Sequence, residues 1–525
     1  MNARQNTGPI EMARRVFLRA AGFSLGSVAL DALTFDALTF DGRSRVVGAS
    51  GKAGAVRPHF PPRARRVVFL CQSGAPSQVD LFDAKPRLRR WHGQELPDSI
   101  RGGQRLTTMT ADQARKPIVA SPWAFSQYGE CGLEVSELLP HTGAIADELC
   151  VVRSVFTDAI NHDPAITFLQ TGSPLPGRPG WGAWVSYALG SENENLPAFT
   201  VSISGGEPGD QPLNGRLWGA SFLPPQSQGV KFRGNGPPLL YLDNPPGIDA
   251  ARRARLNETR RKLNAARNTT PGTAKANSRS SATANDSGST AAESPEVRAA
   301  DWAGTADAAG AASRSRLEQF ELAAGLQLAA PELADVATEP EHVFELYGEE
   351  SRQPGTFAAN CLLARRMIER GVRFVQLYHR GWDHHTNLPS KLPGKCRQVD
   401  QPAAALVRDL KQRGLLEDTL VIWAGEFGRT VYCQGELRED DFGRDHHPRC
   451  FTVWLAGGGV RAGATVGRTD DYSYNIVESP VHVHDLQATV LRLLGYDHER
   501  LIYRSQGRDF RLTDVAGNVV AEIIA

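Results

Sequence analysis

The feature that most narrows what this 525-residue chain can fold into is a series of six short apolar runs: RRVVFL (Arg65–Leu70), ELCVVRSV (Glu148–Val155), FTVSI (Phe199–Ile203), VRFVQLY (Val372–Tyr378), TLVIWA (Thr419–Ala424) and CFTVWLA (Cys450–Ala456). Each has the length of a buried strand. Helical patterns separate the later ones. Thr356 stands where an N-cap belongs, Phe357, Cys361, Ala364 and Ile368 share one face, and Gly371 supplies a stop. A second helix is expected from about Gln401 to Arg413, with Pro402 in its first turn, Leu406 and Leu410 facing inward and Gly414 ending it. A third is expected from about Asp485 to Leu494, stopped by Gly495. Strands alternating with helices of this length imply βαβ units and a mostly parallel sheet.

Composition then excludes whole classes. Fifty-nine Lys and Arg nearly cancel 58 Asp and Glu, so the formal charge of +1 offers no broad nucleic-acid surface. No stretch of 18 apolar residues exists, so no ordinary transmembrane helix is expected. Seven cysteines between Cys71 and Cys450 form neither a dense disulfide framework nor a CxxC metal pattern. The length allows about three domains or one large α/β domain.

Two segments stand outside that pattern. Arg14 and Arg15 precede Val16, Phe17 and Leu18 and the apolar run Ala20–Leu30, which reads as a secretory signal with paired arginines similar to the twin-arginine motif. Export to the periplasm or cell surface by that route is the expectation, with residues 1–50 as signal and linker and residues 60–525 as the folded domain. An ordinary N-terminal helix with two chance arginines is the plain alternative. Residues 268–315 are mostly Ala, Ser, Thr, Gly and Asn, with Val297 and Trp302 as the only large apolar residues, so a disordered insert is expected there. The basic stretch Ala250–Arg267 before it reads as a solvated helix.

Histidine carries the chemistry. Eight of 13 histidines fall between His379 and His498, in clusters with acids. HRGWDHH offers His379, Asp383, His384 and His385 after the Val372–Tyr378 strand. GEFGRT offers Glu426 after the Thr419–Ala424 strand. GRDHHP offers Asp445, His446 and His447 before Cys450–Ala456, and HVHD offers His482, His484 and Asp485 at a helix start. Ligands of open α/β sheets bind outside the carboxyl ends of the strands, where the first two clusters fall. Carboxylate with imidazole suits zinc, manganese or iron, and all-oxygen sets suit magnesium or calcium. Each cluster alone also reads as a polar loop, Asp485 as a mere N-cap, and LAGGGV (Leu455–Val460) as a strand-to-turn junction. Upstream, CQSGAPSQVDLFD (Cys71–Asp83) is a turn able to present N–H groups to an anion. Asn161, His162 and Asp163 precede Pro164 and an apolar helix, which places polar groups at a helix N-terminus. The bland version of that segment is a helix capped by Asp163 with Pro164 at its first position.

These motifs, with NHDPAITFLQTGSPLPGRPGWGAWVSYALGSENENLPAF, ARRMIERGVRFVQLYHRGWDHH and HVHDLQATVLRLLG, resemble the domain-of-unknown-function family 1501 in the alkaline-phosphatase-like (sulfatase-like) superfamily. The likeness runs from about Arg65 to Ala525 apart from the insert. It implies an α/β fold with a central mostly parallel sheet flanked by helices on both faces, and an exported metal-dependent hydrolase of phosphate or sulfate esters. By that resemblance Asp383, His385, Glu426, Asp445 and His446 hold a divalent metal (zinc, manganese, calcium or magnesium). His162, with Asn161 beside it, is the catalytic group, because it falls where sulfatases carry a modified Cys or Ser. Ser73, Arg429 and His447 are left to bind an anionic ester, a carbohydrate-linked one among the candidates. The sequence departs from the superfamily pattern: the first-strand Asp has become Gln72 or Ser73, and an Asp-His pair reads Glu426-Phe427. No Cys-x-Pro-x-Arg or Ser-x-Pro-x-Arg run stands at the nucleophile position, which argues against a formylglycine sulfatase, and the missing ligand argues against a two-metal phosphatase. A catalytically altered member acting as an exported binding or structural protein is the alternative.

Overall fold

The computed structural model describes residues 56–207, 210–234, 238–239, 329–438 and 441–525, with scattered positions between 249 and 327. The chain divides into two units. Residues 45–239 with 318–525 carry every element named below. In the other unit, residues 1–44 with 240–317, positions 251–253, 255–256 and 258–259 are helical. The paired arginines and the 268–315 insert lie outside the described residues.

All six apolar runs are strands of one nine-stranded sheet. They are β1 (Arg66–Gln72), β2 (Leu149–Phe156), β3 (Phe199–Gly205), β4 (Phe374–Arg380), β5 (Thr419–Ala424) and, after a hairpin described below, Phe451–Ala456. Strand β1 lies between β4 and β5 and is parallel to both, with Val67 beside Phe374 and Leu420. Strand β3 continues the parallel set beyond β4. Phe451–Ala456 runs antiparallel to both β5 and β2, so β2 points the same way as β5. The carboxyl ends of β1, β2, β3, β4 and β5 therefore share one edge.

Helices cover both faces. On one, α1 (His162–Thr171) and α2 (Trp181–Leu189) pack where Phe69 and Phe374 meet Trp181 and Phe199 meets Phe374. On the other lies α3 (Phe357–Glu369), whose Met367 Sδ sits 3.2 Å from Thr200 Oγ1 of β3. Thr356 caps α3 as expected, its hydroxyl accepting from the Ala359 N–H at 3.1 Å. Among the described residues no helix is long and apolar enough to cross a membrane. All seven cysteines are unpaired, and only Cys131 is exposed.

Several expectations shift. The helix expected from Gln401 begins at Leu388: α4 runs Leu388–Gln412 with Pro393 and Pro402 inside it. Leu388, Leu392, Cys396, Val399, Ala403, Leu406 and Leu410 form one buried face. An interior proline costs ~3 kcal/mol, and each large buried apolar side chain returns ~1.5–3 kcal/mol, so the face outweighs the two prolines. Helix α1 begins at His162 with Asn161 at the N-cap, so Asp163 and Pro164 sit inside the first turn. The last helix, α5 (Val483–Leu493), is capped by His482, and Asp485 closes the capping box from its third position.

The largest difference is a hairpin. GEFGRT and GRDHHP do not lie in loops throughout: β6 (Gly428–Gln434) and β7 (Gly443–His447) pair antiparallel, with His446 opposite Arg429. The register shifts between Arg444 and His446, a bulge of the kind that re-aims side chains.

Candidate metal centre

Four chain segments leave the shared edge of the sheet and meet. After β1 the chain turns through Ser73, Gly74 and Ala75. Gly74 has φ +111°, and a Cβ there would stand 2.6 Å from the Asp383 backbone nitrogen, so only glycine fits. After β2 the chain reaches α1, whose first residue is His162. After β4 come Trp382, Asp383, His384 and His385, and after β5 come Glu426 and Phe427, then the hairpin that delivers His446.

The meeting point is one oxygen. Asp383 Oδ1 lies 3.2 Å from His162 Nε2, 2.8 Å from His385 Nε2, 3.5 Å from His446 Nε2 and 2.6 Å from an Arg429 guanidinium nitrogen. One donor atom from each of His162, Asp383, His385 and His446 lies within 4.8 Å of the others. His162 and His446 are buried, whereas Asp383 and His385 remain partly open to solvent. Phe427 packs against the rings of both His162 and His446, at 4.8 and 4.6 Å between centroids.

Each imidazole is oriented from behind. His162 Nδ1 is 2.6 Å from Glu426 Oε1, and Glu426 also accepts from the Gly74 N–H at 3.0 Å. His446 Nδ1 is 2.9 Å from the Ile160 carbonyl, and His385 Nδ1 is 2.5 Å from Gln434 Oε1. All three partners are acceptors, so the Nδ1 atoms donate, and in the neutral rings the Nε2 lone pairs face the centre. His162 Nε2 and His446 Nε2 are buried with no hydrogen-bond partner. Two buried nitrogens aimed at a carboxylate and left unpartnered fit a bound cation.

Electrostatics treat the four groups differently. Burial would raise the Asp383 carboxyl, but the Arg429 guanidinium and the three imidazoles overcome it and hold the group well below the usual carboxylate range. Burial, reinforced by Arg429, pushes His446 down to about 4 against the pull of Asp383. Burial also opposes charge on His162, yet the adjacent carboxylates of Asp383 and Glu426 win and raise it. Arg429 is fully buried and held by the carbonyls of Gly74, Ala75 and Arg444, which makes it a fixed positive wall.

The remaining expected residues go elsewhere. Glu426 stands behind His162 and has no place among the four gathered donors. Asp445, the residue within the bulge, turns away to accept from Thr107, Thr110 and the His446 N–H. His447 lies buried against the Tyr474 ring, its Nε2 2.7 Å from the Tyr474 carbonyl. Ser73 ties β1 to the loop after β4 through its backbone, donating to the His379 carbonyl and accepting from the Trp382 N–H. Asn161 is an exposed N-cap beside the cluster, with no side-chain capping bond. Arg429 spends its donors on Asp383 and three carbonyls. Sequence reasoning missed Gln434 and Arg444. Arg444 pairs with Asp80 at 2.8 Å in full burial and bonds the carbonyls of Val119, Thr430 and Val431, which anchors the hairpin. A fully charged residue inside a short polar strand was the available signal.

No curated protein matches the chain. Solved structures similar to it include the PsFucS1 sulfatase from Pseudoalteromonas sp. (13% identity, 83% of this chain and 69% of that one, TM-score 0.30). Others are an alkaline phosphatase superfamily protein from Vibrio parahaemolyticus (9%, 84% and 68%, TM-score 0.32) and the phosphonate monoester hydrolase SpPMH from Silicibacter pomeroyi (10%, 68% and 68%, TM-score 0.28). The family described as protein of unknown function, DUF1501, matches residues 64–301 and 298–524. The match takes in all four segments that build the cluster, and the chain belongs to the DUF1501 family.

Proposed function

We propose that this protein is an exported metal-dependent hydrolase of phosphate or sulfate esters. The observation that carries the reading is the gathering of three imidazole nitrogens and one carboxylate oxygen, with Arg429 beside them, at the carboxyl edge of the sheet. A divalent ion there would polarise a phosphoryl or sulfuryl oxygen and lower the pKa of water. The chain's own groups would do the rest. Arg429 offsets the Asp383 charge, so the loaded centre is net positive and favours an anionic ester. The N-terminus of α1, at His162, adds the positive end of a helix dipole. Glu426 orients His162, and Phe427 excludes water from one side of its ring.

The test is a panel of aryl phosphates and sulfates, including sulfated sugars, assayed after metal removal and after return of divalent ions. The reading expects turnover that needs the ion and disappears in Asp383→Ala. Ion binding without turnover on any ester would instead favour an exported binding protein on an altered hydrolase fold. Export rests on Arg14 and Arg15 ahead of the apolar run; replacing both with Lys should keep the protein in the cytoplasm, and unchanged secretion would overturn that part.

A further inference from the structure

The donor set narrows the ion and reassigns His162. We infer that His162, His385, His446 and Asp383 hold a single ion of the zinc class, and that Glu426 is the positioning residue of His162 and not itself a ligand. The inference rests on the reading of this cluster as a metal centre proposed above. It goes further in naming the ion's class and in removing His162 from the list of free nucleophiles.

Donor chemistry decides the ion. Calcium takes six to eight oxygens and magnesium about six. Here one oxygen atom is accompanied by three nitrogens, and Glu426 and Asp445 are both committed elsewhere. Imidazole with a carboxylate suits zinc and its neighbours among the d-block ions. A tetrahedron with bonds of ~2.0–2.1 Å has edges of about 3.3 Å. The three Nε2 atoms stand 2.8, 3.2 and 3.5 Å from Asp383 Oδ1, near the length of three of the six edges, and all four donors lie within 4.8 Å of one another, so small side-chain rotations would close them on one ion. Arg429 does not preclude an ion, because an ionised carboxylate has about four lone-pair sites and serves both partners.

The second layer of contacts supports nitrogen ligation at all three rings. A ligating histidine commonly donates its other N–H to a carboxylate, a carbonyl or a similar acceptor, which fixes the tautomer. Glu426, the Ile160 carbonyl and Gln434 supply one such acceptor each. His162 therefore has one nitrogen committed to Glu426 and the other to the ion, and keeps no free lone pair with which to attack an ester. The attacking group is then water: its oxygen forms the new bond to phosphorus or sulfur, the ester bond to the leaving oxygen breaks, and the two protons of water end on the alcohol and on the released phosphate or sulfate or the solvent.

The experiment is competitive binding to the chelator-stripped full chain, read by calorimetry and by the visible absorption of added cobalt(II), a spectroscopic stand-in for zinc. The expected result is one zinc per chain, bound at least about a thousandfold more tightly than calcium or magnesium, with cobalt(II) giving a tetrahedral spectrum. His385→Ala, whose ring is partly open and removes little packing, should abolish that spectrum, and His162→Ala should do the same. Glu426→Gln should keep the spectrum and weaken zinc by ten- to a hundredfold. Calcium or magnesium bound as tightly as zinc, or a cobalt(II) spectrum unchanged in His162→Ala or His385→Ala, overturns the inference. Zinc bound as described without ester turnover leaves the inference standing and removes the hydrolase reading. Turnover supported by calcium or magnesium alone does the reverse.

Discussion

Two buried charge clusters in this protein look alike on a residue list and differ in construction. Between α3 and α4, Arg365 pairs with Glu339 at 2.6 Å, Glu369 at 2.7 Å and Asp409 at 3.1 Å. Arg366 shares Glu339, Arg413 shares Asp409, and the Tyr347 hydroxyl donates to Asp409. Every carboxylate there meets a guanidinium; Arg365 Nε is buried beside Asp409 without a hydrogen bond, but a guanidinium nitrogen accepts nothing and can hold no cation. At the sheet edge one carboxylate, Asp383, faces three imidazoles and one guanidinium, two of the imidazole nitrogens have no hydrogen-bond partner, and Asp383 itself reaches solvent. The arginine network offers an ion only carboxylates already matched by guanidinium charge, whereas the open cluster at the sheet edge adds three imidazoles that ligate cations in their neutral form. Neither counting charged residues nor counting unpartnered buried atoms separates a structural network from a functional site; asking which of the unpartnered atoms can offer a lone pair to a cation does.

The sharpest way to break this comparison is to cut each cluster and watch different quantities. Arg365→Ala breaks three ion pairs at once and leaves Glu339 and Asp409 with one guanidinium each, and should cost about 3–5 kcal/mol in urea unfolding while ion binding at the sheet edge is unchanged. Asp383→Ala should abolish ion binding and, with chelator present, still cost about 2–3 kcal/mol, because it strands the buried Arg429 guanidinium. If Asp383→Ala stabilised the chelated protein and kept its ion, the cluster would be another structural network.

A pH experiment sharpens the contrast at a third buried group. His379, at the end of β4, has its ring nitrogens 3.1 Å from Ser204 Oγ and from Gln398 Oε1, and burial with nearby Lys395 pushes it down to about 3. The unfolded chain takes up that proton near pH 6.5 and the folded chain near pH 3, so the unfolded state binds more protons between these values. Stability attributable to His379 is therefore full above pH 6.5 and is lost as pH falls toward 3, by up to about 1.4 kcal/mol per pH unit. Urea unfolding at pH 7.5 and 5.5 should show a smaller loss in His379→Gln than in the parent, and equal losses would remove the claim. The smallest effect belongs to a plain cap: Thr356→Ala should cost about 1 kcal/mol with ion binding untouched, measured the same way.

How far the sequence reaches follows from the same contrast. Strands made of apolar residues were legible: each of the six runs became a strand, because Val, Ile, Phe and Trp in short blocks have one efficient way to be buried. Their shared carboxyl edge was also legible from the order of helices and strands. The hairpin of β6 and β7 was not. Its buried residues include Arg429, Arg444, Asp445 and His446, which read as solvated until Asp383, 46 positions from Arg429, and Asp80, 364 positions from Arg444, are brought to them. His162 and Glu426 were singled out separately; that they face one another, 264 positions apart in sequence, depends on the register of β1 against β5 and on the Gly74 turn. The start of α4 was hidden by Pro393 and Gly394, which local preference alone assigns to a loop.

The central claim is that the open cluster is a cation site, and anomalous diffraction tests it most directly. Crystals of the full chain grown with zinc should be measured on both sides of the zinc absorption edge. The account predicts one strong peak per chain, at ~2.0–2.2 Å from His162 Nε2, His385 Nε2, His446 Nε2 and an Asp383 oxygen. A cluster without a peak, or a peak coordinated by Glu426 and Asp445 with His162 turned away, would contradict it.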